Sequence, residues 1–340
     1  MVDALGHLNS NNLFQPKGLL GNAHVQSLLA SSKLRKRLMY HRCKGLHYAE
    51  KDLVLDCGNG VRLHALFSDQ ALSTNPPTFK NTPEKLAILI HGWEGSADST
   101  YMLSTASALY NAGFSVLRLH LRDHGPSANM NRGIFHAARI NEVIGAVKAI
   151  NQQFNKAKCY LLGFSLGGNF ALRVSQRASS EGLLLQRVVA VSPVISPAHT
   201  FLAIKDGWAV YRHYFLSKWK KGLRAKQTCF PDDYDFAGLL NMTDLREMTE
   251  RLVEDHTPFD DLKHYYEQYT LRAEQFEDLA VSTSIILAAD DPVIPVENIA
   301  EFSELEKLQV YVTERGGHCG FVKNWQLKSW LDEMLLRILV

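Results

Sequence analysis

The run Gly163-Phe164-Ser165-Leu166-Gly167-Gly168 sets a hydroxyl between two glycines, directly after the apolar run Cys159 to Leu162 and directly before a stretch with helical spacing. A nucleophile on a sharp strand-to-helix turn must adopt strained backbone angles. Side chains two residues to either side would collide with the neighbouring strand and helix, so Gly163 and Gly167 stand where a Cβ must be missing. Such a turn exposes the Ser165 hydroxyl at the carboxyl edge of a sheet, above the unpaired N–H groups of a helix start, which favour negative charge. The chemistry this suits is capture of an acyl group by an alcohol. The plainer alternative is a helix entry in which Ser165 is only an N-cap.

A serine hydroxyl is a weak nucleophile until a base takes its proton, and the base needs a carboxylate to orient it. Two later segments supply these types: Asp291 in Ala289-Asp290-Asp291-Pro292-Val293-Ile294-Pro295 and His318 in Arg315-Gly316-Gly317-His318-Cys319-Gly320. Asp290 competes for the acid role. The segment His91-Gly92-Trp93-Glu94-Gly95-Ser96 follows another apolar run, and the Trp93 and Leu166 amides are assigned to an oxyanion hole, where each donor contributes roughly 3 kcal/mol to the transition state. His91 itself reads as a structural loop residue. The turn Arg122-Asp123-His124-Gly125-Pro126-Ser127 is expected to shape the pocket wall.

The elements that must position these groups follow from periodicity. Leu86 to Ile90, Phe114 to Leu119, Cys159 to Leu162, Val188 to Val191, Ile285 to Ala288 and Leu308 to Val312 are short apolar runs without polar alternation, as expected of strands buried on both faces. Helical spacing over Ser99 to Asn111, Phe135 to Gln153 and Leu166 to Ser179 alternates with them, which predicts a mostly parallel α/β sheet covered by helices. Leu53 to Asp56 and Val61 to Phe67 flank Cys57-Gly58-Asn59-Gly60 and read as an antiparallel hairpin. A Pro/Thr/Asn-rich stretch, Ala71 to Pro83, reads as a loop. Residues 196–280 interrupt the alternation with aromatic and charged residues and are expected to form a helical lid. The reading divides the chain into an N-terminal segment with the first strands (1–85), a core (86–195 and 281–340) and the lid. Asn324 to Leu339 is expected to be a closing amphipathic helix.

Composition excludes several classes. The 340 residues are 46% apolar and carry 37 basic against 35 acidic side chains, a net charge of +2, so nucleic acid is a poor partner. Five scattered cysteines without a CxxC pair suggest neither a disulfide framework nor a zinc site, and no run is long and apolar enough to span a bilayer. A cytoplasmic location is the expectation. Asp123-His124 resembles the end of a binuclear metal motif, but Leu119 and Leu121 stand where its upstream histidines belong, so no metal is assigned. No GxGxxG or Walker loop invokes a nucleotide, and no cofactor is expected. His256 and Asp261 have an acyltransferase-like HxxxxD spacing, attributed to chance. Basic clusters at Lys33 to Arg37 and Lys218 to Lys226, the latter mixed with Tyr214, Phe215 and Trp219, suggest a peripheral membrane contact or a solvated helix face.

The segments HGWEGS, RDHGPS, GFSLGGN, DDPVIP and GGHCGF, in this order, resemble the α/β-hydrolase superfamily and, within it, the YheT-like hydrolases. The upstream Gly21-Asn22-Ala23-His24-Val25-Gln26-Ser27 is similar to the Asn-x-His-x-Gln segment with which that family opens. The resemblance implies the α/β-hydrolase fold and a carboxylester hydrolase acting on a small-molecule acyl ester or lipid-like substrate, with Ser165, Asp291 and His318 as its triad. Trp93 stands where the family commonly has Leu, and His256-Thr257-Pro258-Phe259 where it has a Gly-Phe pair, so the acyl pocket and lid are expected to differ. Amide hydrolysis or acyl transfer on the same residues, or a non-catalytic ligand-binding protein of this fold, are the alternatives.

Overall fold

The computed structural model describes residues 14–70, 84–155 and 157–340. The segment 71–83, read as a loop from its composition, lies outside them. Eight strands form one sheet: β1 (Glu50–Asp56), β2 (Arg62–Ser68), β3 (Lys85–Ile90), β4 (Ser115–Leu119), β5 (Lys158–Phe164), β6 (Arg187–Val191), β7 (Thr283–Ala288) and β8 (Leu308–Thr313). Their spatial order is β1-β2-β4-β3-β5-β6-β7-β8. The β1/β2 hairpin is antiparallel and β2 joins β4 antiparallel, while every later pairing is parallel. The fold is therefore an α/β-hydrolase sheet, and the central strand β3 shows why its sequence lacks alternation: Leu86 to Ile90 are all inaccessible to water, since helices cover both faces.

On one face pack α5 (Ile140–Gln153) and α6 (Leu166–Arg177); on the other pack α4 (Thr100–Asn111) and α12 (Trp330–Leu339). Two helices start later than their periodicity suggests. Before α5, the Phe135 amide donates to Asp123 Oδ2 and the Ala137 amide to the Tyr265 hydroxyl, so these groups are committed to loop contacts instead of a first helical turn. Before α12, Val322 and Ser329 form an antiparallel bridge around a tight turn, and Ser329 then caps the helix.

Three short helices precede the sheet: α1 (Ala23–Ser31), α2 (Lys33–Arg42) and α3 (Lys44–Tyr48). They are fastened by buried polar contacts. Asn22 caps α1 through its side chain, and the wholly buried Gln26 amide donates to the Leu20 and Val322 carbonyls while its oxygen accepts from the Val322 amide at 2.7 Å. The Asn-x-His-x-Gln segment thus ties the start of the described chain to the loop after β8. Between β6 and β7, residues 196–280 supply α7 (Pro197–Asp206), α8 (Ala209–Cys229), α9 (Ala237–Asn241), α10 (Leu245–His256) and α11 (Leu262–Glu267), with no strand among them.

Gln26→Ala would leave the Leu20 and Val322 carbonyls and the Val322 amide without the side chain that satisfies them, each buried group costing about 1–3 kcal/mol. We expect a loss of about 2–4 kcal/mol in a urea melt; a change within experimental scatter would contradict the fastening role.

Candidate active site

Ser165 sits at the junction of β5 and α6 with φ 54° and ψ −120°. This region of backbone space is sparsely populated by non-glycine residues and costs of order 1–3 kcal/mol. Close backbone approach on both sides maintains it. A Cβ on Gly163 would stand 2.0 Å from the Gly167 carbonyl oxygen, and one on Gly167 would stand 2.4 Å from that of Ile90. Neither position admits any side chain, which is the physical content of the two flanking glycines.

The Ser165 Oγ lies 3.0 Å from His318 Nε2, and His318 Nδ1 lies 2.9 Å from Asp291 Oδ2. With the proton on Nδ1, the imidazole donates to the carboxylate and accepts from the hydroxyl. The Asp291 side chain is fully buried, and its second oxygen accepts from the Val293 and Ile294 amides at 2.8 and 3.0 Å, so the carboxylate cannot swing away. Asp290 faces elsewhere: its Oδ1 accepts from the Gly317 amide at 2.8 Å, bracing the loop that carries His318. Burial raises the Asp290 pKa. Sequence reasoning missed Ser27, whose hydroxyl donates to the Ala23 carbonyl and accepts from the His318 amide at 2.8 Å. The GNAHVQS segment was the available signal. Its His24 Nδ1 is 2.9 Å from the Tyr211 hydroxyl on α8.

The loop after β3 is pinned from behind by imidazoles. His91 Nε2 accepts from the Leu121 amide, His124 Nε2 from the Glu94 amide and His120 Nε2 from the Ala97 amide, while the Gly92 amide donates to the Tyr101 hydroxyl. All three rings must be neutral to accept, and burial enforces this: it holds His91 well below the ordinary range, His120 down to about 3 and His124 down to about 4. The Arg122 to Ser127 turn therefore does not shape the pocket wall as expected; none of its residues lines the cavities described below, because its polar groups face inward, His124 to the Glu94 amide, Arg122 to Glu142 and Asp123 to Lys226 and the Phe135 amide. Among the described residues the Trp93 and Leu166 amides have no hydrogen-bond partner.

Two cavities meet at Ser165, Trp93, Phe215 and Val293. One runs beneath α8, α10 and α11 and is walled mainly by apolar and aromatic side chains. The other passes His318 and opens between α1, α2 and α8, with Lys33, Lys36 and Lys218 along it. Trp93 stacks on Phe215 at 5.2 Å and meets Trp219 edge-on at 5.4 Å, forming the partition. Of the sequence's basic clusters, two members are not at the surface at all: Lys226 is 1% exposed and pairs with Asp123 at 2.9 Å, and Arg35 lies buried near Ser104. The Lys226 ammonium lies 4.7 and 5.9 Å from the Phe230 and Tyr234 ring centroids, whereas Lys33, Lys36 and Lys218 remain toward solvent. His256 packs against Tyr234 and Phe236, and Asp261 caps α11, so the HxxxxD spacing assembles no site.

A hydroxyl on a strained strand-to-helix turn, with an imidazole and a carboxylate delivered from later strand ends of the same sheet, is the architecture of an α/β hydrolase. The alpha/beta hydrolase fold family model matches residues 86–324, and the chain belongs to that family. It is similar to "Putative esterase YheT" of Escherichia coli (strain K12), at 25% identity over 332 residues covering 96% of this chain and 93% of that one. It is also similar to "Protein abhd-3.2" of Caenorhabditis elegans, at 22% identity covering 85% and 75%. The solved esterase Pf2001 of Pyrococcus furiosus shares the fold, with a TM-score of 0.56 at 18% identity over 87% of this chain and 95% of that chain.

Glu94, at φ 55° in the braced loop, has its carboxyl pushed up to about 7 by removal from water, with Lys218 opposing and Asp123 adding to the shift. The folded state thus holds this proton more tightly than the unfolded chain does. Its contribution to stability is fully present below the ordinary pKa of 4.5 and is lost as pH rises through about 7. Glu94→Gln should therefore gain melting temperature over the parent between pH 5 and pH 8. A constant offset across that range would contradict the assignment.

Proposed function

We propose that the protein is a serine hydrolase that cleaves carboxylic esters through an acyl-enzyme. The observation that carries the reading is the unbroken hydrogen-bonded chain from Asp291 through His318 to the Ser165 hydroxyl. As Ser165 Oγ attacks the ester carbonyl, His318 Nε2 takes the hydroxyl proton and Asp291 stabilises the imidazolium without accepting it. The tetrahedral oxyanion is met by the Trp93 and Leu166 amides, which are otherwise unpartnered among the described residues. Collapse expels the alkoxide, which receives the proton from His318. A water molecule, deprotonated by His318, then attacks the acyl-enzyme and releases the acid with Ser165 restored.

The two cavities divide the substrate. The apolar one suits the acyl chain, and the lysine-edged cleft beside His318 suits the leaving alcohol. The helices of 196–280 act as a lid over the acyl side, since α8, α10 and α11 all contribute wall residues. Exposed Leu28, Leu34, Trp208 and Val210, on or beside helices lining the open cleft with Lys33, Lys36 and Lys218, support peripheral contact with an anionic lipid surface while substrate enters. The esterase name of the Escherichia coli relative agrees with this chemistry.

Ser165→Ala should lower kcat on short p-nitrophenyl esters by on the order of 10⁴-fold or more with little change in melting temperature. Undiminished turnover would remove the nucleophile. Asp291→Asn should cost on the order of 10³–10⁴-fold, because the amide can favour the wrong imidazole tautomer. Asp290→Asn should cost under about tenfold, since it acts only through a loop hydrogen bond; the reverse ranking would transfer the acid role to Asp290.

A further inference from the structure

The acyl-side cavity is walled mainly by apolar and aromatic side chains, with a few polar ones among them. His136, from the strap that follows the Arg122 to Ser127 turn, and Tyr266, on α11, both line it. His136 is 8% exposed, and its Nδ1 has no hydrogen-bond partner; the Tyr266 hydroxyl is likewise buried and unpartnered. These are two of eight such side-chain atoms among the described residues, and both belong to residues that line one cavity. Two neighbouring hydroxyls on that wall have partners of their own. The Tyr265 hydroxyl accepts from the Ala137 amide at 3.0 Å, and Thr249 donates to the Leu245 carbonyl at 2.7 Å. The two orphans flank Tyr265, whose ring centroid is 6.4 Å from that of His136 and 5.7 Å from that of Tyr266.

A buried polar group without a partner is destabilising, and two on residues lining one cavity would be satisfied by a polar ligand atom placed between them. Building on the serine-ester reading, we infer that the acyl group this pocket selects carries a neutral oxygen substituent, a hydroxyl or an oxo group, that engages Tyr266 and His136. The Tyr266 O–H donates to that oxygen. His136 accepts from a substrate hydroxyl or donates to an oxo oxygen, according to its tautomer. Burial, reinforced by Arg139, Arg122 and Arg173, holds the imidazole down to about 3, so it is neutral in the working range and offers both options. Burial likewise raises the Tyr266 phenol, which keeps its proton. An ionised carboxylate is excluded because no charged side chain lines the cavity to compensate it. Selectivity of this kind is strong in principle: a pocket with polar groups awaiting a substrate oxygen penalises the analogue that lacks it, whereas a purely apolar pocket discriminates weakly.

The test is a set of p-nitrophenyl esters of equal chain length, one plain and the others with a single hydroxyl or oxo group moved stepwise along the acyl chain. One substituent position should raise kcat/KM tenfold or more over the plain ester. In Tyr266→Phe and, separately, His136→Leu, that ratio should fall toward one, and kcat/KM for the plain ester should rise as the orphan disappears. His136→Asn should retain part of the preference. A ratio near one at every position in the parent, or a preference that survives both variants, overturns the inference. Failure of the underlying reading looks different: no ester of the set would be turned over in a Ser165-dependent manner.

Discussion

The site depends on one constraint, the backbone crossing beside Ser165. With φ at 54° and ψ at −120°, the residue lifts its hydroxyl off the end of β5 toward His318, and it can do so only because the chain passes within contact distance of itself at Gly163 and Gly167. A residue held in such a conformation persists only when its surroundings over-determine it. Here they do. The Ser165 amide donates to the Val191 carbonyl at 2.8 Å, its carbonyl accepts from the Asn169 amide at 3.1 Å, and the Asn169 side chain in turn donates to the Val194 and Tyr269 carbonyls. Strain at one residue is thus distributed into β6, α6 and both ends of the helical insertion.

Around that point the molecule supplies supports rather than further reactive groups. The 91–97 loop rests on three buried neutral imidazoles, the His318 loop rests on Asp290 and Ser27, and the Asp291 carboxylate is fixed by two amides of its own turn. Most of these supports come from segments remote in sequence. Preorganisation of this sort matters because a catalytic donor displaced by about an ångström loses much of its effect on the transition state. The N-terminal helices belong to the same logic: Gln26 and Ser27 are consecutive, one fastening the loop after β8 and the other holding the amide of His318.

How much of this is legible in the sequence varies with the physics. The strands are readable because each is a short apolar run without alternation, the pattern that burial on both faces imposes, and the hairpin is readable from its Gly-Asn-Gly turn. Ser165 stands out because its glycines and its strand-before, helix-after context are local. His318 and Asp291 are legible as types in the right order, but choosing between Asp290 and Asp291 requires side-chain directions that adjacent residues do not reveal. The brace formed by His120 and His124 is illegible because a histidine accepting from a remote amide looks, in sequence, like any other. The same holds for Lys226, which reads as a surface charge until Asp123, 103 residues away, is found 2.9 Å from it. Helix starts were displaced where tertiary acceptors, Asp123 and Tyr265, captured amides that periodicity assigned to a first turn.

The central claim is that Ser165 alone among the hydroxyls is made nucleophilic, and that His318 makes it so. Its most direct test is covalent: the folded protein is treated with a slight excess of a fluorophosphonate, and intact mass followed by peptide mapping reads the site and extent of modification. The expected result is one adduct per chain, on Ser165, with the rate of labelling reduced at least a hundredfold in His318→Ala. No adduct on the folded protein, an adduct on another residue, or equal labelling rates with and without the imidazole would contradict the account.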